Sequence, residues 1–350
     1  MSGSYKATGI NLKGVAIGES DRLLTILTKE QGLVRAVAPG ARKHQSTLRG
    51  RSELFVVNRL LIVQGRSLDK VIQAESLESF PGLSQDLRKL TAAQYVVEVV
   101  LGQALSHQPQ EELFNALCEH LHRLEQTPAA ETLAVLTHAV FHLLKLAGVA
   151  PEVHRCCVSQ EPLTPNFADP QWRIGFHAGV GGTVTLPVLD RLMGKRPNRT
   201  NCDLVDADQI NSQPAVLEFL NLAENRGQWV ASPEAAIASS HQVSESPVRY
   251  RVRSAPRSKS GAGEPVVKLD AIELFLLQQL SQLDWLNLET AWVSAALPSR
   301  TTWQNSAETP SIPQHVWLSL EKALRCYAQY HLERSIQSAS LIDTCFSAQP

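Results

Sequence analysis

The sequence has 350 residues, of which 43% are hydrophobic and 19% charged, so it is long enough for two domains with a sizeable core. Six cysteines without framework spacing argue against a disulfide-rich secreted domain and for the reducing cytoplasm. The N-terminus has no apolar signal core. The most apolar stretch, Leu133–Ala150, includes His138, His142 and Lys145, which favours a buried helix over a membrane span.

The net charge of −1 hides an asymmetry along the chain. Residues 1–80 contain 12 Lys and Arg against 7 Asp and Glu, a net charge of +5. The remaining residues contain 21 against 27, a net charge of −6. A cationic front and an anionic rear predict one domain that meets a polyanion and a second domain with a different task.

The first 80 residues have the pattern of short strands separated by tight turns. Gly18–Asp21 and Glu30–Gly32 are the predicted hairpin turns. Five strands with one long connection between the third and fourth predict a closed five-stranded oligonucleotide-binding (OB) barrel. The predicted strands are Ala7–Ile17, Arg22–Thr28, Leu33–Ala38, Leu54–Val63 and Lys70–Leu77.

The long connection belongs to the most basic stretch of the chain, Arg35–Arg51, which contains five Lys or Arg and no Asp or Glu. It begins as a strand, turns at Pro39–Gly40 and continues as a small-residue polar segment. Positive charges on a mobile connection suit a polyanion, although a basic run also serves simply to keep a surface hydrated.

From Leu83 the apolar period becomes helical, and Pro81–Gly82 closes the preceding unit. Residues 81–350 are therefore predicted as a mainly α-helical domain, so that the whole chain is an α+β multidomain protein. Residues 151–200 interrupt the helical pattern, and 244–265, rich in Ser, Pro, Arg and Gly, are predicted as a flexible insertion. The predicted helices are Leu83–Ser106, Glu111–Leu124, Glu131–Gly148, Pro214–Asn225, Pro233–Ser240, Leu269–Leu283 and Val316–Arg334.

Three motifs suggest chemistry, and each has a simpler explanation. Gly179–Gly182 lacks the Gly-Lys-Ser/Thr of a phosphate loop, which favours a turn. The pairs Cys118/His122 and His138/His142 have a helical spacing that could bind zinc, but His138–His142 has no glutamate to serve as base, which favours packed histidines over zinc. Nothing in the sequence orients a base toward Cys156 or Cys157 as a nucleophile. The sequence therefore predicts no catalytic residue and no cofactor.

The front of the chain resembles the bacterial recombination mediator family RecO. The matching features are the Gly18–Arg22 turn, the Thr28–Gly32 hairpin and the Pro39–Lys43 run, followed by Ser46, Leu48, Leu54 and Phe55. The segment Tyr327–Asp343 is similar to the closing helix and tail of that family. The resemblance covers most of the chain and is weakest at residues 190–315.

This resemblance implies a protein of DNA repair and recombination that binds single- and double-stranded DNA through an OB-fold and is no enzyme. It also implies strand annealing and loading of RecA onto coated single strands, in partnership with RecR and the acidic tail of single-stranded-DNA-binding protein. The implied location is the cytoplasm, at the nucleoid, with no membrane partner.

One departure from the family pattern concerns zinc. Many RecO proteins carry a zinc knuckle of two Cys-x-x-Cys pairs, whose positions here are Cys156, Ser159, Thr185 and Val188. Tetrahedral zinc needs four good ligands, and only one thiol remains. We therefore expect residues 151–200 to be a degenerate, metal-free knuckle in which packing around Trp172, Ile174, Phe176 and Val184 replaces the ion.

The residues predicted to contact phosphates are all cations of the barrel, and a scarcity of aromatic residues there predicts that electrostatics outweighs base stacking. Two alternatives remain, an OB-type RNA-binding adaptor and a metal- or thiol-dependent nucleic-acid enzyme built on the helical domain. The predicted DNA-binding residues are Lys13, Arg35, Arg42, Lys43, Arg49, Arg51 and Arg66.

Overall fold

A computed structural model of the protein describes residues 3–193, 266–282 and 312–346. The predicted helices Pro214–Asn225 and Pro233–Ser240 and the predicted 244–265 insertion lie outside the described residues. The chain divides into two units, Met1–Leu189 with Val266–Pro350, and Asp190–Pro265. Everything that follows concerns the first unit.

The first five strands close into a barrel in the order β1-β2-β3-β5-β4, which confirms the predicted OB-type fold. All neighbours are antiparallel except β3 and β5, which pair in parallel through Ala36–Asp69 and Val37–Lys70. Period-two alternation places small and branched side chains such as Ile26, Ala36 and Ile62 inside the barrel. The strands are β1 Ser4–Ile17, β2 Asp21–Thr28, β3 Gly32–Ala38, β4 Val57–Val63 and β5 Asp69–Glu78.

The predicted fourth strand began three residues too early. Phe55 has a φ of 60°, the left-handed region that extended strands do not contain, and its N–H donates to the carbonyl of Asn11. Leu54 is exposed. Pairing therefore begins at Val57, opposite Ile10 of β1.

Seven α-helices follow within the described residues. The side chain of Asp86 accepts from the N–H groups of Arg88 and Lys89, so the first helix begins at Leu87 rather than at the predicted Leu83. A capping box of Asp270 and Glu273 likewise begins the fifth helix two residues after the predicted Leu269. The helices are α1 Leu87–Gln103, α2 Glu111–Gln126, α3 Thr132–Leu146, α4 Leu186–Leu192, α5 Ala271–Ser281, α6 Gln314–His331 and α7 Ala339–Phe346.

Helix α3 is the centre of the helical domain and packs against α1, α2, α5 and α6. Ala129–Leu146, which includes it, is the one described segment with the length and apolar composition of a membrane span, and two-thirds of it is buried inside the protein. The prediction that this stretch is a buried helix is confirmed.

A small three-stranded sheet covers one side of the helices in the order β7-β6-β8. Its strands are β6 Ile174–His177, β7 Gly182–Val184 and β8 Val266–Leu269. Leu269, predicted as the first helical residue, therefore ends a strand instead and pairs with Ile174. The 151–200 interruption thus supplies two strands and α4.

The barrel and the helices share one hydrophobic cluster, to which the barrel contributes Ile10, Leu12, Leu27, Phe55 and Val57. Backbone hydrogen bonds join the β2–β3 turn to the α1–α2 linker. Leu33 N–H donates to the Leu105 carbonyl at 2.8 Å, and His107 N–H donates to the Gln31 carbonyl at 3.0 Å. The helices therefore hold one end of the barrel.

Candidate nucleic-acid interface

The segment predicted as a mobile connection between β3 and β4 is folded against the barrel. Successive turns make this segment compact: the Lys43 N–H donates to the Gly40 carbonyl, and the Ser46 N–H donates to the Lys43 carbonyl. Ala41 and Leu48 are buried in the barrel core. The prediction of mobility was wrong because these two apolar side chains anchor an otherwise polar segment.

Two buried asparagines hold the far end of this segment. The Nδ2 groups of Asn11 and Asn58 both donate to the carbonyl of Arg51, at 2.7 and 2.9 Å, and Asn11 also donates to Glu53. Both side chains are fully buried, so their amides are committed to the loop backbone. Arg51 is consequently half-buried, and its Nη1 donates to the Thr47 carbonyl.

The near end of the segment is fixed to the β1–β2 turn. Asp21 Oδ1 accepts from the N–H of Gly40 at 2.8 Å, and Arg42 donates to the carbonyls of Ser20 and Gly18, through its N–H and its Nη1 respectively. The Gly40 N–H and, less strongly, the Ser20 hydroxyl lower the pKa of the Asp21 carboxyl. The β1–β2 turn and the basic segment therefore form one surface.

The predicted cations differ in charge pairing from three other basic residues of the barrel. Arg22, Lys29 and Arg59 form ion pairs with glutamates at 3.0–3.3 Å. Within the part of the chain that the structure describes, no ion pair joins any of the seven predicted DNA-binding residues. Six of those seven are exposed, namely Lys13, Arg35, Arg42, Lys43, Arg49 and Arg66.

The strands bring several of these cations together. Lys13 of β1 and Arg35 of β3 are both partners of Thr25 on β2, so the two cations share one outward row two strands apart. Arg42, Lys43 and Arg49 lie on the folded segment beyond the end of β3. Arg66 lies in the β4–β5 turn, apart from the Lys13–Arg35 row in sequence and in strand pairing.

Sequence reasoning missed Lys70. This residue is exposed on β5 and pairs with Val37, two positions beyond Arg35 on the adjacent strand. Its charge, together with that of Lys43, lowers the pKa of the Asp21 carboxyl. Only the parallel β3–β5 pairing of the closed barrel places it there, and no local sequence signal predicts that pairing.

The four knuckle positions converge but do not fit zinc. Burial opposes ionisation of the Cys156 thiol, yet hydrogen bonds from Ser159 and from the backbone N–H groups of Thr185 and Val158 lower its pKa. Cys156 is fully buried, and Val188 packs against the same small cluster. One thiol with serine, threonine and valine at the other three positions is not a tetrahedral zinc ligand set. Among the described residues no group of three or more His, Cys, Asp or Glu is arranged to hold a metal ion.

Of the two pairs flagged in the sequence, His138 and His142 lie together, with ring centroids 6.1 Å apart, and the third member of their cluster is His120 rather than Cys118 or His122. His142 meets His120 of α2, with Nδ1 and Nε2 at 2.9 Å, and the ring of His138 lies 5.6 Å from that of His120. Burial lowers the pKa of all three imidazoles, that of His138 to about 4. The cluster is therefore neutral and packed near pH 7.

A groove of about 520 Å³ lies where the ends of α1, α3 and α6 meet the start of α2. Its described lining includes Leu105, Leu113 and Leu332 and the acidic residues Glu111 and Glu112, and no Lys or Arg. An acidic peptide tail needs a basic rim, so this groove does not fit one.

The fold and the site define a class of protein, an OB-type barrel with a free cationic face fixed to a helical domain. Two family models match the chain: "Recombination protein O N terminal" over residues 1–80 and "Recombination protein O C terminal" over residues 84–218.

The curated relatives agree with the family models over nearly the whole chain. The chain is 44% identical to "DNA repair protein RecO" of Nostoc sp. (strain PCC 7120), covering 99% of this chain and 98% of the relative. It is 45% identical to that of Acaryochloris marina, covering 100% and 98%, and 46% identical to that of Gloeothece citriformis, covering 98% of each. The chain belongs to the RecO family of DNA repair proteins.

Proposed function

We propose that the protein is a recombination mediator that binds single- and double-stranded DNA without sequence preference. The observation that carries this proposal is the set of exposed barrel cations without carboxylate partners among the described residues. Cations in that state gain free energy from phosphates by releasing counterions and lose no internal ion pair. Phosphate contacts of this kind position a strand without reading its bases.

Annealing follows from the same electrostatics. Two complementary strands repel each other through their phosphates, and a cationic surface that holds both lowers that repulsion. The mediator anneals complementary strands or helps to load RecA on single strands, and it makes and breaks no covalent bond. In this proposal RecR and the tail of single-stranded-DNA-binding protein bring the chain to coated DNA, and the cytoplasmic nucleoid is its place of action.

The test is annealing of complementary oligonucleotides coated with single-stranded-DNA-binding protein, with and without RecR. We expect the protein to accelerate annealing and Arg42→Ala/Lys43→Ala to reduce that acceleration at least about fivefold, since two phosphate contacts are lost. Arg59→Ala is the matched control, because Arg59 is an exposed barrel cation already paired with Glu75. No acceleration by the unaltered protein, or equal activity of the double variant, contradicts the proposal.

A further inference from the structure

Three helices end at the groove that lies between α1, α3 and α6. Their last residues, Gln103, Leu146 and His331, all line it. The C-terminus of a helix carries about half a negative charge, because its last carbonyls have no partner within the helix. The groove therefore receives the negative ends of three helix dipoles.

Two carboxylates add full negative charges at the same place. Glu111 and Glu112 are exposed in the first turn of α2 and line the groove. Lys29 pairs with Glu111 at 3.3 Å, whereas Glu112 has no ion-pair partner within the described part of the chain. The positive end of α2 meets the same groove, but its half charge is smaller than that of two carboxylates. The groove is therefore electronegative.

The walls of the groove are largely apolar and remain open to solvent. Leu105 is 52% exposed, and Val149 and Leu332 are partly exposed. The volume of about 520 Å³ lies in the range of about 300–1,000 Å³ that is usual for binding sites. Exposed apolar side chains that line a concave surface mark an interaction site.

One polar atom at the groove lacks a partner. The Nε2 group of Gln103 is buried and has no acceptor among the described residues. A buried amide donor that stays unpaired costs free energy, and the carbonyl of a bound chain would satisfy it.

We propose that this groove docks a segment of a partner protein in which a Lys or Arg lies beside aliphatic side chains. The aliphatic side chains pack on Leu105 and Leu332, the cation pairs with Glu112, and a peptide carbonyl accepts from Gln103. Charge complementarity selects this occupant, since the same carboxylates repel phosphates and acidic peptides. A neutral apolar ligand leaves Glu112 unpaired.

This docking site is distinct from the surface proposed to bind DNA. None of the seven predicted DNA-binding residues belongs to the described lining of the groove. The chain can therefore hold a protein partner on the helical domain while its barrel holds a nucleic acid.

The test compares two double variants. Leu105→Ala/Glu112→Gln, the groove variant, removes an apolar wall and the unpaired carboxylate. Both side chains are exposed and glutamine keeps helix propensity, so the fold is retained. Leu87→Ala/Glu131→Gln is the matched control, because it makes the same changes at exposed residues at the opposite ends of α1 and α3.

A library of random short peptides displayed on phage is first depleted on the groove variant, which removes peptides that bind elsewhere on the chain. It is then selected on the unaltered protein. We expect the surviving peptides to combine Lys or Arg with aliphatic residues. The best survivor, synthesised with a fluorophore, should bind the groove variant at least about tenfold more weakly than the unaltered protein, since a charge pair and an apolar contact are lost. It should bind the matched control as tightly as the unaltered protein.

The proposal is overturned if no peptide survives, if the survivors are acidic or uncharged, or if the best survivor binds the groove variant as tightly as the unaltered protein. Self-association of the unaltered protein in sedimentation velocity, abolished in the groove variant, would place a second copy in the groove and also overturn it. Should the double variant unfold by circular dichroism, Glu112→Gln alone serves for depletion and comparison. The groove variant should keep its affinity for DNA, so failure of this proposal leaves the proposed function standing.

Discussion

At the residue scale, Asn11 and Asn58 show how two neutral side chains organise a charged surface. Each sits in a strand of the barrel, and both donate to the carbonyl of Arg51. The loop backbone that carries the cations is thus bound to the barrel by amides rather than by ion pairs, which leaves the charges of the segment available. A carboxylate in either position would neutralise part of the surface that it holds.

His138 provides a prediction about pH. Its pKa is lowered to about 4 by burial first, then by the nearby positive Arg123 and His142. Its pKa in the unfolded chain is near 6.5, so the unfolded state takes up the proton first as the pH falls. The free energy of unfolding therefore has its full value above pH 6.5. Protonation of His138 lowers it by about 3 kcal/mol as the pH falls from 6.5 to about 4.

We expect His138→Gln to lose less stability than the unaltered protein when the pH is lowered from 7 to 4.5, measured by urea unfolding at each pH. His44→Gln, at an exposed loop position, controls for the removal of a histidine. Parallel stability–pH curves for His138→Gln and the unaltered protein would show that this imidazole is not forced to stay neutral.

The degenerate knuckle yields a second prediction at this scale. The protein as purified should contain no stoichiometric zinc, and a chelator should leave its melting temperature unchanged. Ser159→Cys/Thr185→Cys/Val188→Cys should bind one zinc ion per chain and become sensitive to the chelator, because four thiols then converge. One zinc ion per chain in the unaltered protein contradicts this, as does a triple variant that folds without binding zinc.

At the element scale, the β2–β3 turn is the joint between barrel and helices. Gly32 has a φ of 62°, and a Cβ there would lie 2.2 Å from the Leu105 carbonyl oxygen and 2.4 Å from that of Gln108. Both obstacles are backbone oxygens of the α1–α2 linker, and that of Leu105 already accepts from the Leu33 N–H. The close approach requires glycine.

Gly32→Ala should therefore destabilise the protein by roughly 3 kcal/mol or more, combining left-handed strain with separation of the turn from the linker. Gly18→Ala is the matched control, since Gly18 is in the β1–β2 hairpin turn with a φ of 55° and nothing within 4 Å of an added Cβ. Gly18→Ala should lower the free energy of unfolding by about 1 kcal/mol. Equal melting temperatures for the two variants would exclude the steric role of the linker.

The elements could be predicted from sequence wherever the signal is local. Period-two alternation predicts the barrel strands, and the apolar stripe of Thr132–Leu146 predicts a buried helix. Leu269 was misassigned because its strand partner, Ile174, lies far away in sequence. His120 and Lys70 were missed for the same reason, since only the packing of α2 on α3 and of β3 beside β5 brings them to their neighbours.

At the scale of the whole molecule, the charge asymmetry of the sequence separates two parts of one unit, the cationic barrel and the helical domain that supports it. The cationic barrel is held at one end by the helices, and its exposed cations lie on β1, β3 and β5, on the segment between β3 and β4 and in the β4–β5 turn. Shared apolar residues and backbone hydrogen bonds make the helical domain a fixed support for the barrel and for the DNA-binding surface proposed on it.

The salt dependence of single-stranded DNA affinity tests the central claim most directly. The logarithm of affinity should fall linearly with the logarithm of salt concentration, and Arg42→Ala/Lys43→Ala should reduce the magnitude of that slope by about 1.4, or about 0.7 for each lost phosphate contact. Arg59→Ala should leave the slope unchanged. A slope that is the same in the double variant, or no binding by the unaltered protein even in dilute buffer, would contradict the account.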